Sequence, residues 1–209
     1  MVTCSGAWLT RNPETLHHRQ RVAVISHIRR DVVHRSRLIR IPAIPEREEN
    51  SLPFPAARQY TIFRIQGDGN CLFRALTQSY HSVVFQKSSK RIFEPLSLEE
   101  ETVKSEKLRQ DICNTMLAQK DFIEPFLPGS DVESYVETMR QRSTWGGEPE
   151  LSMASLVLQI PVVVYQPQEG STLGKIAEYN LYDASCDDEI ALLYSGGVHY
   201  DALIDLGRL

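Results

Sequence analysis

Cysteine is scarce in this chain, and none of it is paired along the sequence. Cys4, Cys71, Cys113 and Cys186 are scattered over 209 residues, and no CxxC occurs. That spacing excludes a structural zinc site built on cysteine pairs. A chain of this length buries enough surface to fold without disulfides, so most of these thiols are expected to be small buried hydrophobes in a reducing compartment. Long apolar runs are lacking as well. Stretches such as Pro161–Tyr165 fall far short of the roughly 20 residues that span a bilayer, so no membrane segment is expected. No apolar stretch follows Met1, which argues against a secretory signal. Basic clusters are missing from most of the chain. Residues 1–45 hold eight Arg against Glu14 and Asp31, a net of +6, which leaves residues 46–209 at −10. An acidic body is unsuited to phosphate contacts, and hence to nucleic acid. It suits a partner that presents a basic surface. With 42% hydrophobic and 24% charged residues, the composition is that of a globular protein and not of a disordered one.

The organisation is uneven. Residues 1–59 are Arg- and His-rich, then Pro-rich through Ile41–Pro45 and Leu52–Pro55. Proline removes backbone donors and restricts its neighbours, so this stretch is expected to be a flexible N-terminal extension. Its Arg-rich, acid-poor start leaves organelle targeting open as an alternative. The folded domain is expected over residues 60–209. Tyr60–Ile65 reads as a strand and Gly67–Asn70 as a turn. Leu72, Ala75 and Leu76 then recur at helical spacing, with Cys71 in the first turn. Further helices are expected over Leu98–Gln119, Asp131–Arg140 and Glu148–Gln159. Pro149 and two acids mark the start of the last of these, and Pro161 stops it. Strands are expected at Val162–Tyr165, Ile176–Tyr182, Ile190–Tyr194 and Tyr200–Ile204, and the segment His81–Glu99, with Lys87–Arg91 and then Pro95, reads as loop-like. Helices in the first half and strands in the second indicate an α+β domain.

Cys71 differs from the other thiols by its position. Where a glycine-containing turn meets a helix start, unpaired N–H groups and the helix dipole stabilise an anion. A thiolate there is a usable nucleophile, and the same N–H groups can receive an oxyanion. A thiol nucleophile needs a base. Of six histidines, His17, His18, His27 and His34 fall in the extension, and His81 lies on the same helix as Cys71. His199 remains, after Gly196-Gly197 and at the start of a strand. Asp201, two residues on, shares a strand face with it and can accept the imidazole N–H. The same residues also read as an ordinary hairpin turn carrying a surface histidine. Trp145-Gly146-Gly147 is a third unusual cluster, either one wall of a narrow channel or a core tryptophan beside a loop.

Together these segments resemble the ovarian-tumour (OTU) family of cysteine proteases, which are deubiquitinases. Asp68-Gly69-Asn70-Cys71-Leu72-Phe73-Arg74-Ala75 is similar to the family's nucleophile motif. Trp145-Gly146-Gly147 with Glu150-Leu151, Ala154, Ile160-Pro161 and Val162–Tyr165 is similar to its middle motif, and His199-Tyr200-Asp201 to its histidine motif. The Trp-Gly-Gly-Glu-Pro-Glu-Leu form is most like the plant branch. The resemblance implies an OTU-like fold with a small central sheet flanked by helices. It implies an isopeptidase at the C-terminal glycine of ubiquitin, with Cys71 as nucleophile and His199 as general base and acid. Asp201 would orient His199, while Asp68 would hold the oxyanion loop or support the histidine; which acid is the main partner stays open. Backbone N–H groups of Asp68, Gly69 and Cys71 would form the oxyanion hole. Trp145, Gly146, Gly147 and Tyr200 would contact substrate. No metal or organic cofactor is implied. The expected partners are ubiquitin and polyubiquitin chains, not nucleic acid or membrane, and the expected state is a monomer in the cytoplasm or nucleus. A catalytically weak ubiquitin-binding module and a hydrolase of a ubiquitin-like modifier are the alternatives.

Overall fold

A computed structural model describes residues 58–88, 93–127, 129, 131–169, 172–181 and 187–205. The expected N-terminal extension, the targeting alternative, Cys4, Cys186 and the first four histidines lie outside the described residues. Among those described, no helix is long and apolar enough to cross a membrane.

The elements run in the order β1 (Tyr60–Phe63), α1 (Cys71–Ser88), α2 (Leu98–Ala118), α3 (Lys120–Ile123) with a short 3-10 turn at Glu124–Phe126, α4 (Val132–Met139), α5 (Glu148–Leu158), β2 (Val162–Pro167), β3 (Leu173–Tyr179), β4 (Ile190–Ser195) and β5 (His199–Asp205). The strands form one sheet in the order β1-β5-β4-β2-β3. All neighbours are antiparallel except β2 and β4. This is the α+β architecture expected from the sequence.

Local chemistry sets the boundaries. Ser97 opens α2 with a reciprocal cap: its hydroxyl accepts from the Glu100 N–H while the Glu100 carboxylate accepts from the Ser97 N–H. Asp131 caps α4 through the Ser134 N–H. Pro149 sits in the first turn of α5, which closes on Gln159 in the left-handed conformation, just before Pro161. In the sheet, Ile190 and Leu192 of β4 and Ala202 and Ile204 of β5 join Phe73, Leu76, Ile112, Met116, Leu151 and Met153 in the main core. The alternate residues Ala191, Leu193 and Leu203 form a small second cluster, as the two-residue period of a strand requires.

Two expectations are corrected. The loop expected over His81–Glu99 is helical as far as Ser88, because α1 continues well beyond the nucleophile motif. Val83 is buried there, and the rings of His81, Phe85 and Phe93 pack together at centroid separations of 5.6–5.9 Å. The strand expected at Ile176–Tyr182 begins earlier, at Leu173, where it pairs with Pro167, and ends at Tyr179. A bulge between Val164 and Tyr165 lets that pairing continue.

Candidate active site

The sharp turn after β1 determines how Cys71 is presented. Gly69 has φ +80, and a Cβ there would lie 2.8 Å from the Ser143 carbonyl oxygen. Only glycine serves at such a position, on both backbone and steric grounds. The Asp68 carboxylate holds the turn from both sides: Oδ1 accepts the Asn70 N–H at 3.0 Å and Oδ2 accepts from Arg74 at 2.6 Å. Arg74 is buried and also donates to Glu101 at 2.5 Å. Asn70 ends the turn and its carbonyl accepts the Arg74 N–H, the first hydrogen bond of α1. Asparagine is a favoured capping residue, yet its side chain here turns inward to Ser105 and Arg109. The Asn70 side chain is thereby withdrawn from the first N–H groups of the helix, where Cys71 is half-buried.

Of the three expected oxyanion donors, the N–H groups of Gly69 and Cys71 have no acceptor among the described residues. The Asp68 N–H is directed at the Gln66 carbonyl, 3.1 Å away. Asp68 therefore spends its N–H within the turn, unlike Gly69 and Cys71.

His199 comes to the turn before Cys71 from the other end of the chain. The segment Ser195–His199 is indeed a hairpin turn, with Gly196 and Gly197 both at positive φ, so the hairpin is the device that presents the histidine. Its Nε2 lies 3.2 Å from Asp201 Oδ1. Its opposite edge faces the turn before Cys71: a Cβ on Gly67 would stand 3.7 Å from Nδ1. Asp201 is buried, and it also accepts from the Ile65 N–H and from Arg64, each at 2.8 Å. Asp201 is thus locked in place and touches the imidazole, whereas both oxygens of Asp68 are engaged by the turn itself. The competition left open by the sequence resolves geometrically in favour of Asp201 as the histidine's neighbour.

A groove of about 450 Å³ lies alongside. Trp145, Gly146, Gly147, Val164, Ile176, Val198 and Tyr200 are among its lining residues. Trp145 is 63% exposed, so it is a wall of this groove and not a core residue. Gly146 packs on the first turn of α1, where a Cβ would come within 2.7 Å of Leu72. The wall therefore abuts the helix that carries Cys71. Tyr200 stacks on Tyr194 with centroids 4.9 Å apart. Its phenol is pushed well above the ordinary value, mainly by burial. Burial pushes the thiol of Cys113 up to about 11, leaving it a protonated core residue at neutral pH. Among the described residues no cluster of ligating side chains could hold a metal ion.

Several residues whose role the sequence did not assign support this arrangement. Glu150 is fully buried and accepts from the Gly147 N–H at 2.6 Å and the Tyr135 hydroxyl at 2.8 Å. Burial raises its carboxyl above the ordinary range. Arg109 is also fully buried, with its guanidinium 3.9 Å from the centroid of the Phe73 ring. A signal existed for it, since Arg109 stands at helical spacing with Ile112, Cys113 and Met116, a charge within an apolar stripe. Ile176 and Val198 carried none.

With this geometry in view, the pattern of the OTU-like cysteine protease family matches residues 66–202. The chain belongs to this family. Among curated OTU relatives, it is 37% identical over 146 residues to "OVARIAN TUMOR DOMAIN-containing deubiquitinating enzyme 4" of Arabidopsis thaliana, a match covering 69% of this chain and 43% of that one. It is 29% identical over 174 residues to deubiquitinating enzyme 3 of the same series and organism, covering 71% of each. The chain thus spans less than half the length of the first relative. Among solved structures, the OTU domain of OTUD1 superposes with a TM-score of 0.54 at 22% identity, covering 70% of this chain and 86% of that one, which establishes the shared OTU fold.

Proposed function

We propose that this OTU domain is a thiol-dependent deubiquitinase that hydrolyses isopeptide bonds at the C-terminal glycine of ubiquitin. The observation that carries the reading is His199 held between the carboxylate of Asp201 and the turn that leads into Cys71. The names of the curated relatives support ubiquitin as the substrate class.

In this mechanism Asp201 accepts the Nε2–H of His199, which leaves Nδ1 as the basic nitrogen on the side of the nucleophile turn. Nδ1 takes the Cys71 proton as the sulfur attacks the isopeptide carbonyl. The developing oxyanion is received by the N–H groups of Gly69 and Cys71. The imidazolium protonates the departing lysine amine and leaves a thioester on Cys71. A water molecule, deprotonated by the same nitrogen, then hydrolyses the thioester and frees ubiquitin. Asp68 holds the turn through Asn70 and Arg74. Trp145, Gly146, Gly147 and Tyr200 line the groove for the ubiquitin tail. Gly147, where a Cβ would meet nothing within 4 Å, leaves this groove open to the C-terminal glycine of ubiquitin.

The test is reaction with ubiquitin bearing a C-terminal electrophile. A covalent adduct is expected with the natural sequence and none with Cys71→Ala. Binding without an adduct would show a ubiquitin-binding module. An adduct with a related modifier but not with ubiquitin would reassign the substrate.

A further inference from the structure

Arg109 has no part in the chemistry just described, and its placement needs a reason. It lies in the middle of α2 on the face that carries Ile112, Cys113 and Met116, where an apolar side chain would pack. A buried guanidinium loses its hydration and must be compensated by hydrogen bonds. Every acceptor that Arg109 meets among the described residues is uncharged. Nε and Nη2 donate to Asn70 Oδ1 at 3.3 and 2.8 Å, and Nη2 also reaches the Gly69 carbonyl at 3.4 Å and the Arg142 carbonyl at 3.2 Å. Nη1 donates to the carbonyls of Met139 at 2.8 Å and Thr144 at 3.0 Å.

These acceptors belong to two segments with separate roles in the site. Gly69 and Asn70 immediately precede Cys71, and residues 139–144 immediately precede Trp145. The two segments touch where Gly69 meets the Ser143 carbonyl. One planar cation thus binds the oxyanion turn and the groove wall from beneath and sets their register. Arginine suits this task because its N–H donors are fixed in a plane, whereas lysine offers a single point of attachment.

We infer that Arg109 is a positioning residue that aims the Gly69 and Cys71 N–H groups at the oxyanion by clamping their turn to the Trp145 wall. The inference rests on the cysteine-hydrolase reading and deepens it. It separates two reactions of the same sulfur. Acyl transfer needs the oxyanion cradle, whereas alkylation of Cys71 by iodoacetamide displaces iodide and needs no cradle.

The experiment compares the full chain with Arg109→Lys, which keeps the positive charge but not the planar fork. The measurements are kcat and KM on ubiquitin carrying a C-terminal fluorogenic amide, and the pH profile of Cys71 alkylation followed by peptide mass spectrometry. The expected result is a kcat lower by about 10²-fold, the scale for misplacing an oxyanion donor. KM and the alkylation profile are expected to stay within about threefold, in line with retained charge and an intact nucleophile. Asn70→Ala, which removes the acceptor on one loop only, provides a second variant should Arg109→Lys not fold. It is expected to show the same split, and the two losses in the double variant are expected not to multiply. An unchanged kcat would overturn the inference. So would parallel loss of alkylation and turnover in both variants, which would show mere structural collapse, or a rise in KM alone. If the natural sequence alkylates at Cys71 but hydrolyses no ubiquitin substrate, the proposed function fails first, and this inference falls with it.

Discussion

Replacing Asp201 by asparagine removes one charge from the site while leaving almost every contact in place. The Asp201 Oδ1 lies 3.2 Å from His199 Nε2. The amide oxygen of the substituted side chain can keep both the Ile65 N–H and the imidazole N–H. Its NH2 group is then set against Arg64, whose side chain is 73% exposed and can swing into water. The folding cost is therefore small, about 1 kcal/mol, as for an exposed ion pair plus a weakened buried hydrogen bond. The chemical cost is larger, because the imidazolium formed when His199 takes the thiol proton loses its counter-charge. At 3.2 Å and an effective dielectric near 20, one charge pair is worth roughly 5 kcal/mol. The Arg64 cation already offsets part of that field, so about 3–4 kcal/mol is the expected loss, or a 10²–10³-fold fall in kcat. Steady-state hydrolysis of a ubiquitin C-terminal fluorogenic amide measures it, with urea unfolding as the control for the fold. Asp68→Asn is the comparison, since that carboxylate touches Asn70 and Arg74 but not the histidine. Its loss is expected to stay within about tenfold, on the scale of one hydrogen bond to a charged group. Activity of Asp201→Asn within fivefold of the natural sequence, or a heavier loss from Asp68→Asn, would refute the assignment.

Three further outcomes are expected. Gly69→Ala places a Cβ against the Ser143 carbonyl at positive φ, so unfolding in urea should show a loss of about 2 kcal/mol, and turnover should fall by more than that loss explains; unchanged turnover would mean that the turn tolerates displacement. Trp145→Ala removes a side chain that is 63% exposed, so stability should change by less than about 0.5 kcal/mol, while KM for the ubiquitin substrate rises roughly tenfold, as for the loss of an aromatic anchor; an unaltered KM would take Trp145 out of the binding surface. Glu150 has a carboxyl raised above its ordinary 4.5 by burial. The folded chain therefore holds that proton more tightly than the unfolded chain, and stability falls as pH rises from the unfolded value through the folded one, levelling off above it. Relative to Glu150→Gln, which cannot titrate, the natural sequence should lose at most about 1.4 kcal/mol per pH unit in that window; a difference independent of pH would sink this argument.

Much of the fold was legible along the chain because its signals are local. Three of the four longer helices, the start of the fourth and all five strands lie within a few residues of where periodicity, capping residues and prolines put them. The main miss, the second half of α1, came from reading Lys87–Arg91 and Pro95 as loop while Val83 and Phe85 were finding tertiary partners in the core and in Phe93. Cys71 and His199 were singled out by the joint resemblance of three motifs, since a turn meeting a helix start and a glycine pair before a strand each also read locally as ordinary structure. The supporting residues were not. Glu150 stood within a motif and Arg109 within an apolar stripe, but what each holds depends on groups contributed by other segments.

The amino-acid sequence by itself determined where most helices, strands and turns begin, since propensity, capping and turn chemistry act over a few residues. Only the tertiary structure decided that Asp201 and not Asp68 meets the imidazole, that Trp145 is a wall and not core, and that a buried guanidinium joins two loops. Those outcomes depend on how separate segments approach one another across the sheet and helices, and local spacing does not specify which partners they meet.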